Sequence, residues 1–230
     1  MAKTLDSSTL MKALDTIYDK CLVGVPMVSK SVDEVAFEYK KRYGTEERAV
    51  NAYVYNQIAK CGASGFLTGF GGLLTLPVTI PANLATVLYM QLRMVAVIAK
   101  IGGFDPSAKE VQTLSYACLT ESAFADMVKQ AGIRVGEKTV YTMLGKASTR
   151  VVSSLNEKIG VRLAAKFSEQ GFVNLTKVVP VLGGVVGGAF DAVSTRKIAL
   201  NAMELFIGKE GIHGPEMVDG TADEVPIEDK

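Results

Sequence analysis

The sequence predicts an all-α fold, a multi-helix bundle with central glycine-rich helical hairpins. Three observations predict it. Apolar residues recur at helical spacing, beginning with Leu10, Leu14, Ile17 and Cys21. Start and stop signals punctuate the chain at helix-length intervals. No apolar–polar alternation of the kind that marks strands is sustained, and no fixed-period repeat appears.

Taken in order, Ser7 or Ser8 is expected to cap the first helix. Ser31-Val32-Asp33-Glu34 matches a capping box and opens a second helix, which should stop at Gly44. Thr45-Glu46-Glu47 opens a third, with two acids at the positive end of its dipole, running to about Lys60. A 32-residue stretch without a charge follows, Cys61–Leu92. Within it Gly65, Gly69 and Gly72 lie close in sequence, and Gly65 and Gly69, four apart, give a face without side chains on which another backbone can pack closely. Pro77 and Pro81 interrupt any helix there, so Leu73–Ile80 reads as a bend and Pro81 as the first turn of the next helix.

That helix, Ala82–Ile101, is apolar nearly all round and belongs in a core or a membrane. Thr86, Arg93 and Lys100, seven apart, make one narrow polar stripe; Asn83 lies near it and Gln91 on another side. Gly102-Gly103 ends it, and Asp105-Pro106-Ser107 supplies an N-cap and a first-turn proline for a helix expected to reach about Gln130. Helical pattern resumes over Thr139–Leu144 and Ala147–Glu169, where Val151, Leu155, Ile159, Leu163 and Phe167 recur every four residues. A second glycine-rich segment, Val178–Asp191, holds two overlapping pairs, Gly183/Gly187 and Gly184/Gly188. It leads into a helix that ends at about Ile207 before Gly208. The implied organisation is N-terminal helices over 1–44, a helical domain over 45–208, and a disordered acidic tail over 209–230.

Charge and composition narrow the function. From Lys209 onward seven acids stand against two lysines, a balance of −5, so the net charge of +1 leaves +6 on residues 1–208. A modestly basic body suits an anionic membrane surface as well as ordinary solvated helix faces. Nucleic-acid binding lacks a dense basic cluster: Lys40-Lys41-Arg42 sits at a helix end, where cations suit the dipole. Three widely spaced cysteines, Cys21, Cys61 and Cys118, read as small core residues in a reducing compartment. With His213 as the one histidine, no metal site, cofactor site or histidine-dependent catalytic centre is expected. The N-terminus has no apolar signal region, and the expected location is cytoplasmic, peripheral at the inner membrane face.

The polar residues inside apolar helices, Asn83, Gln91, Arg93, Asp191 and Arg196, are the candidate site. A charge in such a helix needs a partner. An internal ion pair of Asp191 with Arg93 or Arg196, fixing helix register, is weighed ahead of a ligand or proton-handling site.

The run Gly69-Phe70-Gly71-Gly72-Leu73-Leu74-Thr75-Leu76-Pro77-Val78-Thr79-Ile80-Pro81, with its continuation through Leu92-Arg93 into Gly103-Phe104-Asp105-Pro106, resembles the EcsC family. The later Pro180, Gly183-Gly184, Gly187-Gly188-Ala189, Asp191 and Thr195-Arg196 resemble that family's second segment. The resemblance covers roughly residues 45–207. It implies a bacterial protein linked to an ABC transporter, since the family is named for a protein encoded beside the two components of one. Members often carry an acidic residue between the two prolines, where this chain has Thr79, so no carboxylate role carries over to that position.

The favoured function is therefore a non-enzymatic, membrane-associated accessory protein, peripheral or amphitropic, whose partner is a membrane surface or membrane protein. A soluble binder of a lipid or other apolar ligand comes second, and a hydrolase using buried Asp191 and the arginines last. The sequence leaves the oligomeric state open.

Overall fold

The computed structural model describes residues 6–26, 29–62, 80, 82–120, 149–167 and 186–208. Within its helices, the side chains of 59–62, 82–83, 149–151 and 186–193 lie outside that description. The described residues form seven α-helices and no strand: α1 Ser7–Val23, α2 Val32–Tyr43, α3 Glu46–Gly62, α4 Ala82–Ile101, α5 Lys109–Cys118, α6 Thr149–Lys166 and α7 Val186–Phe206. The fold is all-α, as expected. The bend over Leu73–Ile80, the Thr139–Leu144 segment and the acidic tail lie outside the described residues, apart from Ile80.

Local chemistry sets most of the helix ends. α1 is capped by Asp6 rather than by Ser7 or Ser8: its carboxylate accepts from the Ser8 and Thr9 backbone N–H groups at 3.2 and 3.3 Å. It also takes both hydroxyls, so the serine is a partner of the cap and not the cap itself. In α2 the Ser31 capping box closes in both directions. Gly44 ends that helix at φ 77°, a left-handed conformation that a side chain would strain. The Thr45 hydroxyl accepts from Arg48 N–H and opens α3.

The structure changes the reading of α5 at both ends. Asp105-Pro106-Ser107 forms a turn, in which the Asp105 carboxylate accepts from Ser107 N–H at 3.0 Å and from its hydroxyl at 2.7 Å. The helix itself starts at Lys109, after Ala108, which offers no side-chain cap. It stops at Cys118 instead of continuing to Gln130. The Thr120 hydroxyl bonds back to the Ala117 carbonyl, and Lys166 of α6 takes the Leu119 carbonyl at 2.8 Å. A cation at a helix C-terminus satisfies an orphan acceptor and opposes the dipole.

α4 is the centre. It packs against α1, α2, α3, α5 and α7, and its residues from Leu92 to Ile101 are buried except for Arg93 and Lys100. The 18-residue window Leu84–Ile101 has a mean hydropathy of 1.6, long and apolar enough to cross a membrane, yet 83% of it is buried inside the fold. Burial of that apolar surface is the dominant favourable contribution to folding. Two close approaches lock neighbours in place. A Cβ on Gly102 would sit 2.3 Å from the Phe206 carbonyl oxygen, so the end of α4 abuts the end of α7, where Phe104 and Phe206 also meet edge-on at 5.2 Å. At Gly160, α6 crosses α1 beside Met11. α1 and α2 contribute Leu10, Leu14, Ile17, Cys21, Val32 and Ala36 to the same core cluster as α4 and α7.

Candidate functional site

Gln91 and Arg93 are two residues apart on α4, so they point about 200° apart around its axis. They consequently serve two different interfaces. Gln91 is buried against α7, where its amide nitrogen lies 3.5 Å from both the Ser194 and the Thr195 hydroxyl. Those distances are at the outer limit of a hydrogen bond. Its carbonyl oxygen Oε1 is buried with no hydrogen-bond partner among the described residues. Thr86, also buried, lies on the same helix. Buried polar atoms are nearly always paired, so an orphaned carboxamide oxygen in a helix seam marks a site that packing alone does not explain.

Arg93 is half-buried and reaches α1. Its guanidinium donates to the Cys21 carbonyl at 3.3 Å, in the last turn of that helix. The Cys21 carbonyl is one of the acceptors a helix end leaves open, because the Val25 N–H is turned to Ser29. A cation there also meets the negative end of the α1 dipole. The carboxylate weighed as a partner for Arg93 is Asp191, whose side chain lies outside the described residues; among those residues Arg93 meets a main-chain carbonyl. The Cys21 thiol in turn donates to the Tyr89 carbonyl at 3.3 Å, and Ser29 and Tyr89 hydroxyls meet at 2.7 Å.

The other predicted residues are not gathered here. Arg196 is exposed on α7, which corrects its reading as a buried polar residue: Ser194 and Thr195 take the inward positions, and Arg196 and Lys197 follow on the outward side. Asp191 sits three and four residues before Ser194 and Thr195 on α7, and Asn83 opens α4, but both side chains lie outside the described residues. Gly187 and Gly188 lie in the first turn of α7. Gly65, Gly69, Gly72, Gly183 and Gly184 lie outside the described residues.

A second polar cluster escaped the sequence reading. On α5 the buried Tyr116 hydroxyl donates to Asp15 Oδ1 at 2.8 Å, and the Gln112 amide reaches the same oxygen at 3.2 Å and the Tyr116 hydroxyl at 2.8 Å. Lys109 completes it by donating to Gln112 Oε1 at 3.0 Å. One turn along, the Tyr18 hydroxyl donates to the Pro106 carbonyl at 2.9 Å and touches Ser115. Burial, and for Tyr116 the adjacent Asp15 charge, push both phenols far above their usual range, so they act as neutral donors. The signal available was Gln112 and Tyr116 at helical i,i+4 spacing, opposite Asp15.

Chemically, these groups hold and orient; none is primed to attack. Burial raises the Cys21 and Cys118 thiols well above neutrality, which removes the reactive thiolate. Among the described residues no three His, Cys, Asp or Glu side chains gather as metal ligands. A family-wide sequence comparison matches residues 8–207 to the EcsC protein family, a longer span than the 45–207 on which the resemblance rested, taking in nearly all of α1 and the whole of α2. No curated protein matches the sequence, and no solved structure matches it.

Proposed function

The chain belongs to the EcsC family, and on that premise we propose that it is a non-enzymatic accessory protein. It associates peripherally with the cytoplasmic face of a membrane, where it works with a transporter. The observation that carries this reading is the uncharged run Cys61–Leu92 feeding directly into α4. Burial of 83% of Leu84–Ile101 supports peripheral attachment over a span, because that helix's apolar surface is already covered by protein. The +6 body favours an anionic leaflet. On α2, Phe37 is 67% exposed and lies one turn before Lys40-Lys41-Arg42, a pairing of apolar and basic groups suited to an interface.

Cell fractionation tests it: the protein should sediment with membranes after gentle lysis and be released by a carbonate wash. Recovery wholly in the soluble fraction before the wash overturns the reading. A second reading, a soluble binder of a lipid or other apolar ligand, draws on the unpartnered Gln91 oxygen between α4 and α7. Native mass spectrometry after mild purification decides it, through the presence or absence of a co-purifying lipid.

A further inference from the structure

We propose that the acidic segment 209–230 docks on the basic end of α2, Lys40-Lys41-Arg42, and covers it when no membrane is bound. The membrane reading gives the same basic end to an anionic leaflet, so segment and membrane compete for it. That competition rests on the membrane reading; the docking does not.

The end of α7 places the point from which the segment leaves. The Gly208 N–H bonds to the Met203 carbonyl and closes the helix. The Phe206 carbonyl oxygen leaves no room for a Cβ on Gly102, so α7 ends against the end of α4. The carbonyl of Ile101, the residue before Gly102, accepts from Lys40 Nζ at 3.1 Å. Along that path Lys40 Nζ stands within about 10 Å of the Phe206 carbonyl oxygen. The ends of α2, α4 and α7 therefore share one end of the bundle, and residue 209 follows from there.

Charge is the second ground. Lys41 and Arg42 are exposed and pair with no acid among the described residues. Acids on α2 and at the start of α3 are engaged elsewhere: Glu38 by Lys30 at 2.7 Å, Glu46 by Lys40 at 3.0 Å and Asp33 by Lys100 at 2.8 Å. A helix C-terminus carries about half a negative charge, which the two whole charges of Lys41 and Arg42 outweigh. The segment brings seven acids against Lys209 and Lys230. An extended chain advances at most about 3.6 Å per residue, so Glu216, which is Gly208 plus eight, reaches up to about 29 Å. Tethered this closely, the acids stand at an effective concentration of the order of millimolar, at which several weak exposed pairs suffice.

Pattern is the third. Phe37 is 67% exposed and lies four residues before Lys41, so an apolar and a basic group share one face of α2. Glu216-Met217-Val218-Asp219 offers the complement, apolar residues between acids.

The test uses the full chain. A zero-length carbodiimide joins lysine amines to carboxylates, and mass spectrometry locates the links. Lys40 and Lys41 should capture acids of 209–230 several-fold more often than Lys12 on α1 and Lys158 on α6, both exposed, and high salt should erase the difference. Links spread evenly over these lysines overturn the docking. Links between labelled and unlabelled chains in a mixture of the two place a second copy's segment there and overturn it as well. Flotation with phosphatidylcholine vesicles containing phosphatidylserine reads the competition. Amides in place of all seven acids should raise binding at least about fivefold, the worth of one Lys or Arg at an anionic surface. In a Lys41→Gln, Arg42→Gln background the same change should add nothing; an equal gain there reflects net charge alone and overturns the competition. Enriched links at Lys40 and Lys41 with no vesicle binding by any variant support the docking and overturn the membrane reading instead.

Discussion

Replacing Gln91 by methionine should stabilise this protein. Gln91 is 2% exposed, and its carboxamide oxygen has no partner among the described residues. Leaving such an acceptor buried costs about 1–3 kcal/mol. Against that stand two contacts to Ser194 and Thr195, both at 3.5 Å, where a neutral hydrogen bond returns little. Ser194 and Thr195 each keep other interactions, so methionine does not orphan them. Methionine is unbranched like glutamine and fills the same volume without the polar atoms. The expected balance is a gain of about 1 kcal/mol, or roughly 2–4 °C in melting temperature for a chain of this length. Urea unfolding gives the free energy and calorimetry the melting temperature. A loss of about 1 kcal/mol or more would refute the reasoning, since the two long contacts would then carry net stability. A gain has a functional corollary, because residues that destabilise a fold are kept where they do something else. The same variant should then lose any lipid that co-purifies with the wild type.

Tyr116→Phe deletes the donor to Asp15, and urea unfolding should report a loss of about 1–2 kcal/mol, typical of a buried bond to a charged group. Asp15 is itself exposed, and water takes over the vacated side of its carboxylate. Gly102→Ala places a methyl 2.3 Å from the Phe206 carbonyl oxygen, backbone that cannot swing aside, so the ends of α4 and α7 must separate. That should cost about 3 kcal/mol and shift the Phe104–Phe206 aromatic signals in NMR. Asp6→Asn tests the acid side of the stability curve. The α1 cap holds the Asp6 carboxyl at about 2, below its ordinary 3.8, chiefly through the Ser8 hydroxyl. A depressed carboxyl contributes stability that is full above its unfolded value and is lost as pH falls through the folded one. The wild type should therefore lose its advantage over the asparagine variant between pH 3.8 and about 2, followed by circular dichroism.

What the sequence disclosed and what it hid divide along the range of the interaction. The Ser31–Glu34 capping box, Gly44 and both ends of α4 were legible because each depends on neighbours within a turn or two. The Asp6 cap and the Asp105 turn were misread for an equally local reason. A carboxylate beside serines competes for the same N–H groups and wins, at Asp6 by capping one residue earlier and at Asp105 by closing a turn that delays the helix to Lys109. The buried face of α5 was hidden by something non-local. Periodicity assumes one wet side, yet residues Val111–Cys118 are all buried, because α4, α6 and α7 pack round this helix and Asp15 of α1 closes over its polar side. Arg93 shows the limit most clearly. A charge in an apolar helix demanded a partner, and the search among side chains turned to carboxylates. The Cys21 carbonyl was invisible to that search, since every residue carries a carbonyl and only the end of α1 leaves this one open. The Cys21 carbonyl is thus a partner the sequence did not suggest, while the carboxylate it did suggest, Asp191, has its side chain outside the described residues. Among the described residues the unmet demands, the Tyr53 hydroxyl, the Gln91 oxygen and Asn156 Oδ1, are accordingly the positions at which a partner outside the described fold is to be sought.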